Sequence, residues 1–446
     1  MANVREFGAR GDGKSDDTAA LSHAIQKGDG ELVFPRGDYR ISRTLYIALQ
    51  THGRLCIRGE GGARILMSAA GPALHLVGTH GGTADPDSVQ DNVWAKERQP
   101  ILSALEIVGA HDRADGIRLE GVMQPTLHAL LIRQCRHGIH LVKRNRNVDI
   151  SSCHIYEHRG VGVYLDHVNL HQINIHGNHI SYCKQGGIKI VGSEIRNLQI
   201  CSNDIEYNYD LKAKTSADVL FDCREGTVRE GTITGCTIQA KQSPGGANVR
   251  FLGQGEKTPN AVGLFTISGN LIGSQETAVD LQSCRGVVVG NNCIYSGYHR
   301  AIHAANSEHL VIASNSIDHN PQYRGKSTDQ IVLERCRNVN VQGLILQHTL
   351  EAEKEVEASI ELSECENVNR TGCQIIDPRS RGIRARNCKV VRIADCTIRG
   401  EKFKLAVEVD GKCRNVLVSN GMFNRGTRGA VYLPKGSGQE QGGLTL

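Results

Sequence analysis

A short pattern of alternating apolar and polar positions recurs along the chain. Each copy has a small or polar residue, an apolar residue, a variable residue and a second apolar residue, as in GIRL, GVYL and AVDL. The copies start at intervals of 22 to 31 residues. They begin at Gly116, Gly138, Gly162, Gly187, Asp218, Asn248, Ala278, Ala301, Gln330, Ser359, Gly382, Ala406 and Ala430. Alternation over so short a run is typical of a β-strand with one buried face.

A second pattern follows these strands, in which an Asn or Cys stands between two apolar positions. It occurs at Cys153, Asn178, Asn203, Cys236, Asn270, Asn292, Asn315 and Cys396. Each repeat therefore contains three short strands separated by turns. Asn in such a turn is expected to hydrogen-bond the main chain of its own and adjacent turns, which is a structural role.

Two solenoids have repeats of this length. Leucine-rich repeats are dominated by Leu and often include a helix, whereas Ile and Val dominate here and no helical period occurs inside the repeat. The pattern therefore predicts an all-β fold, a right-handed parallel β-helix of about 13 coils, in which each coil is buried against its neighbours.

The ends of the chain depart from the repeat. SDDTAALSHAIQ predicts an N-terminal capping helix with Ser15 or Asp16 as N-cap and an apolar face of Ala20, Leu21, Ala24 and Ile25. We expect one β-helix domain over 1–446. Its parts are a cap with first strands at 1–50, regular coils at 101–433 and a flexible Gly-rich tail at 434–446. The long irregular insert 79–100 contains the single Trp, Trp94, which either stacks on a sugar or anchors the insert.

Composition adds little that is specific to function. The net charge of +5 permits an acidic ligand without indicating nucleic acid, and no apolar run approaches the ~20 residues of a membrane span. Ten of the 15 cysteines fall on two repeat positions and are expected to be stacked free thiols. Such thiols favour a reducing compartment. The start MANVREFGARGDG lacks a signal-peptide pattern, but a signal removed earlier is left open, so localisation is not predicted.

The N-terminal segment carries a family resemblance. VREFGARGDGKSDDTAALSHAI, followed by LVFPRGDYRIS, resembles the pectate-lyase-like β-helix superfamily, and in particular its rhamnogalacturonase/epimerase-like members. The resemblance implies a carbohydrate-active β-helix whose substrate cleft follows the outer face of the first strand. It does not imply one reaction, because members hydrolyse, eliminate or epimerise on this scaffold.

The catalytic motifs of these enzymes are missing from the sequence. Arg136 and His137 stand where polygalacturonases have paired acids, and the chain has neither their G-H-G nor the D-P-H-E of alginate epimerases. No catalytic residue is therefore transferred from a relative.

Candidate site residues follow instead from the alternation of the first strand. In G-I-x-L the variable residue points outward, so Arg118, His140, Tyr164 and Lys189 are expected to form one row about 4.8 Å apart, with Glu120 and Asp166 beside it. We predict catalytic roles for His140, Tyr164, Lys189 and Asp166. Substrate-binding roles are predicted for Arg118, Glu120, Asp115, His137, Glu157, Tyr182, Glu206 and Trp94.

The row favours lyase-type β-elimination on a uronate-containing poly- or oligosaccharide. That reaction needs a cation to neutralise the carboxylate and a base to remove the C5 proton. Two alternatives stay open. The first is a glycoside hydrolase that uses two carboxyl groups, drawn from Asp115, Glu120, Glu157, Asp166 and Glu206. The second is a non-catalytic carbohydrate-binding or adhesion β-helix.

No metal site or cofactor is predicted, and calcium is possible without a motif to support it. His171, His176 and His179 are expected on other sides of the repeat from Tyr164 and Asp166, so they do not form one zinc site. His154, His179 and Asp204 are expected to stack as a structural surface row. A saccharide is the expected partner, without nucleic acid or membrane, and the oligomeric state is not predicted.

Overall fold

A computed structural model describes residues 2–82, 85–320, 322, 326–347 and 356–445. The chain divides into two compact units, residues 1–210 with 218–231 and residues 211–217 with 232–446. Each unit is built from parallel strands that pair with strands one turn later, which is the arrangement of a β-solenoid. The strands of a unit form three sheets, called here the first, second and third sheet in the order in which each repeat enters them.

In the first unit, some long strands bend from the first sheet into the second. The first sheet contains Leu45–Ala48, Gly71–Val77, Ala114–Met123, Ile139–Ser151, Val163–His176, Ile188–Val191 and Ala217–Asp222. The second contains Ala2–Asn3, Glu31–Phe34, Cys56–Gly59, Ile101–Ser103, Thr126–His128, the ends of Ile139–Ser151 and Val163–His176, Glu194–Cys201 and Thr227–Thr234. The third contains Asp12–Asp16, Asp38–Ile41, Arg64–Met67, Glu106–Gly109, Leu131–Arg133, His154–Tyr156, His179–Ser181 and Asp204–Glu206.

The second unit repeats this plan. Its first sheet contains Ala247–Leu252, the ends of Leu271–Gln282 and Cys293–Ala305, Gln330–Glu334, Ile360–Ser363, Arg381–Arg386, Leu405–Val409 and Val431–Tyr432. Its second contains Val262–Ser268, Arg285–Gly290, Glu308–Ala313, Arg337–Gln342, Glu366–Thr371, Lys389–Ala394, Arg414–Ser419 and Gly438–Gln441. Its third contains Thr237–Gln239, the starts of Leu271–Gln282 and Cys293–Ala305, Ser316–Asp318, Ile345–Gln347, Gln374–Ile376, Thr397–Arg399, Met422–Phe423 and Leu444–Thr445.

The predicted parallel β-solenoid is confirmed, but the predicted 13 coils are too few. The chain contains about 17 turns with few helices. The additional turns arise before Gly116, where strands such as Leu45–Ala48 start with Leu in place of a small residue. At the other end, residues 438–441 and 444–445, within the expected flexible tail, pair with Val416–Ser419 and Met422–Phe423.

The N-terminal helix begins later in the chain than the sequence predicted. It spans Thr18–Lys27, with Asp17 as N-cap in place of Ser15 or Asp16. The Asp17 carboxylate accepts hydrogen bonds from the backbone N–H groups of Arg10 and Gly11, which fixes the chain before the helix. Leu21, Ala24 and Ile25 are buried as predicted, and Ala20 is only half-buried.

Other helices are short. They are Leu49–His52, the 3-10 turns Val4–Phe7, Pro86–Ser88 and Gly255–Lys257, and the π turn Val93–Glu97. No helix in the described ranges is long and apolar enough to cross a membrane.

Asn side chains at the turn after the second sheet form hydrogen-bonded ladders. The Asn178 side chain accepts from the Cys153 N–H at 2.9 Å and donates to the Ile150 carbonyl and to Asn203 Oδ1 at 3.0 Å. In the second unit, Asn270, Asn292 and Asn315 repeat this pattern. An amide both donates and accepts, so a column of identical residues can satisfy itself. The predicted structural role of these asparagines is confirmed.

The cysteines at the two repeat positions are buried free thiols, as predicted. In the second unit they stack along the column Cys365, Cys388 and Cys413. The Cys365 N–H donates to Cys388 Sγ at 3.4 Å, and the Cys388 N–H donates to Cys413 Sγ at 3.3 Å. These thiols thus fill small buried positions and cap backbone groups.

Arg370 breaks the apolar pattern of the interior. It pairs in register with Val341 on one side and Ile393 on the other, and its exposure is 0%. None of its three guanidinium nitrogens has a hydrogen-bond partner among the described residues. Next to it, a hydrogen bond from Cys396, together with the Arg370 charge, lowers the pKa of the Cys373 thiol despite burial. We expect a buried guanidinium that lacks most of its hydrogen-bond partners to destabilise the fold.

Replacing Asn178 tests the ladder. Asn178→Ala leaves the Cys153 N–H and the Ile150 carbonyl without their partner, so the free energy of unfolding should fall by about 2–4 kcal/mol in chemical denaturation. Asn174→Ala, at an exposed position of the same turn, should change it by less than about 0.5 kcal/mol. Equal effects of the two substitutions would contradict the structural role.

Replacing Arg370 tests the cost of its buried charge. Arg370→Met keeps most of the volume and removes the charge, so the free energy of unfolding should rise by about 1–3 kcal/mol. The control Arg392→Met, at an exposed position of the next turn, should leave it nearly unchanged. A loss of stability in Arg370→Met would show that the guanidinium has a favourable partner.

Candidate functional site

Outward side chains of the first sheet form one row in the first unit. The strand register pairs Arg118 with His140, His140 with Tyr164, and Tyr164 with Lys189. These are the neighbours that the repeat predicted. The register extends the row to His75, which pairs with Arg118.

The centre of the row is a stack of three side chains. The His140 and Tyr164 rings are nearly parallel, at 5° with centroids 5.1 Å apart. Lys189 Nζ lies 5.9 Å from the centroid of the Tyr164 ring, which is within the range of a cation–π interaction. The phenol is therefore held between an imidazole and an ammonium group.

Asp166 holds His140 from the neighbouring outward position. His140 Nε2 lies 3.0 Å from Asp166 Oδ2, and the other carboxylate oxygen lies 2.8 Å from His167 Nδ1. Burial raises the pKa of Asp166, but hydrogen bonds from His167 and His140 outweigh it, and the net pKa is lowered. Burial also lowers the pKa of His140, although Asp166 opposes that shift. At neutral pH the pair is therefore a neutral imidazole on an ionised carboxylate.

His137 joins the same cluster from the loop that leads into the strand Ile139–Ser151. Its ring centroid lies 5.5 Å from that of His140 and 5.2 Å from that of Tyr164. Its Nδ1 accepts a hydrogen bond from the Val161 N–H at 3.2 Å, and burial lowers its pKa to about 4. Burial and the Asp166 charge raise the pKa of Tyr164. The cluster thus combines neutral imidazoles with a protonated phenol.

Acidic residues recur at every second turn beside the row. Glu120, Asp166 and Asp222 share one outward position, with Val142 and Val191 between them. Successive acids are therefore about 10 Å apart along the backbone.

Glu120 is contacted by two cationic side chains and a histidine. Lys143 donates to one of its oxygens, and the other lies 3.5 Å from His75 Nε2 and 4.0 Å from Arg118. Burial raises the pKa of Glu120, but these neighbours outweigh it and the net pKa is lowered. Glu120 is therefore ionised.

Asp115, predicted to bind substrate, is buried in an ion pair. The Arg136 guanidinium donates to both of its oxygens at 2.8 and 2.6 Å, and the His137 N–H donates to it at 3.1 Å. This contact positions His137, and the substrate-binding role of Asp115 stays a prediction.

The predicted residues Glu157, Tyr182 and Glu206 belong to the third sheet and the turn after it. Gln134 donates to the Glu157 carboxylate at 3.1 Å, and Tyr182 stacks on Tyr207 at 5.5 Å with an angle of 8°. They extend the polar surface beyond the His140 row, and their binding roles stay predictions.

Trp94 packs onto the insert that contains it. It lies against the buried cluster of Val89, Val93 and Met123, and the Arg98 guanidinium lies 5.8 Å from its ring centroid. Of the two roles considered for Trp94, these contacts favour anchoring of the insert.

Sequence reasoning missed three side chains of the site. Tyr46 and His75 pair in register and contact edge-to-face at 5.5 Å. Both occupy the variable position of LYIA and LHLV, but their strands lie before the recognised repeats. His167 was missed because it is the extra residue at a register shift. Val142 pairs with Asp166 and Lys143 with Val168, so His167 has no counterpart on the neighbouring strand.

Two family models match the chain. Residues 1–71 match "Rhamnogalacturonase A/epimerase, pectate lyase-like", and residues 101–225 match "Right handed beta helix region". The chain has a pectate lyase-like right-handed β-helix. The resemblance that the N-terminal segment suggested is therefore confirmed.

The chain matches other proteins over short segments or at low sequence identity. The chain is 50% identical over 44 residues to alginate lyase 7 of Azotobacter vinelandii, a match covering 9% of this chain and 5% of that protein. It is 52% identical over 44 residues to mannuronan C5-epimerase AlgE3 of the same organism, covering 9% and 2%. The crystal structure of the Dettilon tailspike gp208 has a TM-score of 0.51 at 14% identity, covering 84% of this chain and 68% of that one. The structural likeness concerns the fold alone.

His158 lies beneath this site and is fully buried. Its Nδ1 accepts a hydrogen bond from the Cys135 N–H at 3.2 Å, and burial lowers its pKa to about 3. Asn208 takes the same role for the Cys183 N–H two turns later. His158 is therefore a neutral, structural histidine that an Asn can replace.

Acidification should destabilise the chain through His158. The unfolded imidazole takes up a proton near pH 6.5, whereas the folded one stays neutral to about pH 3. Its contribution is present above the unfolded pKa and is lost as the pH falls, by about 2 kcal/mol between pH 7 and pH 4.5. Denaturant unfolding at both pH values should show a smaller loss in His158→Asn. An unchanged pH dependence would contradict this origin.

Proposed function

We propose that the row of the first unit binds an acidic, uronate-containing poly- or oligosaccharide and cleaves it by β-elimination. The observation that carries the proposal is the stack of His140, Tyr164 and Lys189, with Asp166 holding His140. This stack brings a neutral base, an acid and a cation to one place on the solenoid surface. The short matches to an alginate lyase and a C5-epimerase concern enzymes named for uronate polymers.

Lys189 neutralises the carboxylate of the reacting uronate in this mechanism. Neutralisation makes the C5 proton more acidic, because negative charge moves onto the carboxylate oxygens when that proton leaves. The row also carries a second cation, Arg118, on the other side of His140 and Tyr164. The carboxylate of the reacting ring then lies against Lys189 while C5 faces the stack. Arg118, about 14 Å away along the backbone, is placed for the carboxylate of a neighbouring uronate.

His140 removes the C5 proton. Burial keeps the imidazole neutral, and Asp166 accepts from Nε2, which leaves the lone pair on Nδ1. This nitrogen is buried and has no hydrogen-bond partner within the described residues. Exposing Nδ1 to the sugar therefore requires the ring to turn outward on binding, which releases its contact with Asp166.

Tyr164 donates the proton that completes the elimination. Its raised pKa keeps the phenol protonated, so the hydroxyl can protonate the leaving oxygen as the C4–O bond breaks. The electron pair of the C5–H bond forms the C4–C5 double bond. The products are an unsaturated uronate and a free hydroxyl end.

One observation supports the alternative function, a glycoside hydrolase: the acids Glu120 and Asp166 lie beside the row. Their backbone spacing of about 10 Å is close to the 6.5–9.5 Å between carboxyl groups of inverting glycosidases. However, hydrolysis needs one protonated carboxyl group, and the pKa values of both acids are lowered. Elimination therefore fits the charge state of the site better.

The reaction is tested on a panel of uronate polymers by the absorbance of the unsaturated product. Tyr164→Phe should lower kcat by about 100-fold or more, because the leaving oxygen loses its proton donor. Because neutral His140 is the base, kcat/KM should rise with pH through a pKa below 6.5 and stay level at neutral pH. Tyr432→Phe, an exposed tyrosine of the second unit, is the matched control.

Three other results of this experiment would exclude β-elimination as the function. Cleavage that yields only saturated ends assigns the site to hydrolysis. Binding without turnover, unaffected by His140→Ala and Lys189→Ala, assigns it to a carbohydrate-binding protein. Absence of both binding and cleavage across the panel overturns the saccharide proposal itself.

A further inference from the structure

The third sheet of the first unit carries a separate polar cluster. His179 pairs in register with Asp204, and Ser181 pairs with Glu206 on the same two strands. Only Ile205 points inward from Asp204–Glu206 and is buried, so both acids project outward. His154 precedes His179 in the same row, with ring centroids 5.8 Å apart and edge-to-face.

The three side chains His179, Asp204 and Glu206 are spaced as ligands of one ion. His179 Nε2 lies 3.5 Å from Glu206 Oε1 and 3.8 Å from Asp204 Oδ2, and one atom from each of the three lies within 4.8 Å of the others. A tetrahedral ion with bonds of about 2.0–2.1 Å separates its ligands by about 3.3 Å. The observed spacing is longer than a good hydrogen bond and needs only a small contraction to close around an ion.

The charge of the cluster is unbalanced. Asp204 and Glu206 form their ion pairs with His179 only, and in the described part of the chain neither lies within 4.0 Å of a Lys or Arg nitrogen. Other acids of the same sheet differ, since Glu106 lies between Arg64 and Arg133 at 2.7 and 2.8 Å. Two carboxylates facing one imidazole attract a cation.

We propose that His179, Asp204 and Glu206 bind a divalent transition-metal ion. An imidazole with carboxylate oxygens suits zinc and its neighbours, whereas calcium and magnesium take mainly oxygen ligands. The ligands come from two successive turns, so the ion links those turns and stabilises the third sheet. The sequence had indicated only a structural surface row for His154, His179 and Asp204.

Metal binding is measured on the full chain after removal of metals with a chelator. Titration with ZnCl₂ in a calorimeter should show one such site per chain, and zinc should raise the midpoint of thermal unfolding. His179→Ala and Glu206→Gln should each weaken binding by about 100-fold and abolish the thermal shift. Both substitutions lie on the surface, and circular dichroism of the metal-free variants checks the fold. The matched control is His176→Ala, an exposed histidine paired with Asp149 on the neighbouring sheet, which should bind zinc as the parent does.

Cobalt distinguishes this site from the cysteines of the chain. Co²⁺ held by nitrogen and oxygen gives a d–d spectrum without a sulfur-to-cobalt charge-transfer band, and His179→Ala should remove that spectrum. A charge-transfer band, binding unchanged in His179→Ala and Glu206→Gln, or no binding of either ion overturns the proposal. None of these readouts uses saccharide cleavage, so the result is independent of the proposed enzymatic function.

Discussion

The register of the parallel turns is the constraint on which the rest of each unit depends. Every residue in a strand lies beside the equivalent residue of the turn before and after, about 4.8 Å away. A side chain must therefore be compatible with the equivalent residues of the turns above and below it, as well as with the other residues of its own turn. Asn178 and Asn203 satisfy one another because an amide both donates and accepts. Arg370 cannot do so between Val341 and Ile393, and its guanidinium is left without a hydrogen-bond partner among the described residues.

The same constraint, applied to outward positions, creates both candidate sites. Columns facing water need no common chemistry, so His140, Tyr164 and Lys189 stack although they differ. Register then converts sequence separation into contact and brings Asp166 to His140 from 26 residues away. On the third sheet it brings His179 to Asp204. Reactive groups on this fold therefore occur where an outward column contains different residue types. The interior, in contrast, repeats a few apolar residue types.

Much of the fold was predictable because the interior repeats. The G-I-x-L and Asn patterns identified the solenoid, the row from Arg118 to Lys189 and the structural asparagines. The early turns were missed because Leu45–Ala48 lacks a small first residue. The hydrogen bond between His140 and Asp166 depends on side-chain rotamers, and the burial of Asp115 depends on Arg136 in the next turn of the solenoid. Alternation alone could therefore not predict them. The cluster around His179 was missed because Asp204 and Glu206 were not considered together.

The asparagine ladder has a consequence for how such a chain changes in evolution. Asn270 and Asn292 bond each other through the same atoms that Asn292 and Asn315 use. Loss or duplication of one complete repeat would therefore leave every remaining amide with an equivalent partner, whereas a one-residue insertion inside a strand would invert its faces. Insertions and deletions are thus tolerated as whole repeats or in the loops between strands. Each outward row can therefore become longer or shorter without redesign of the interior.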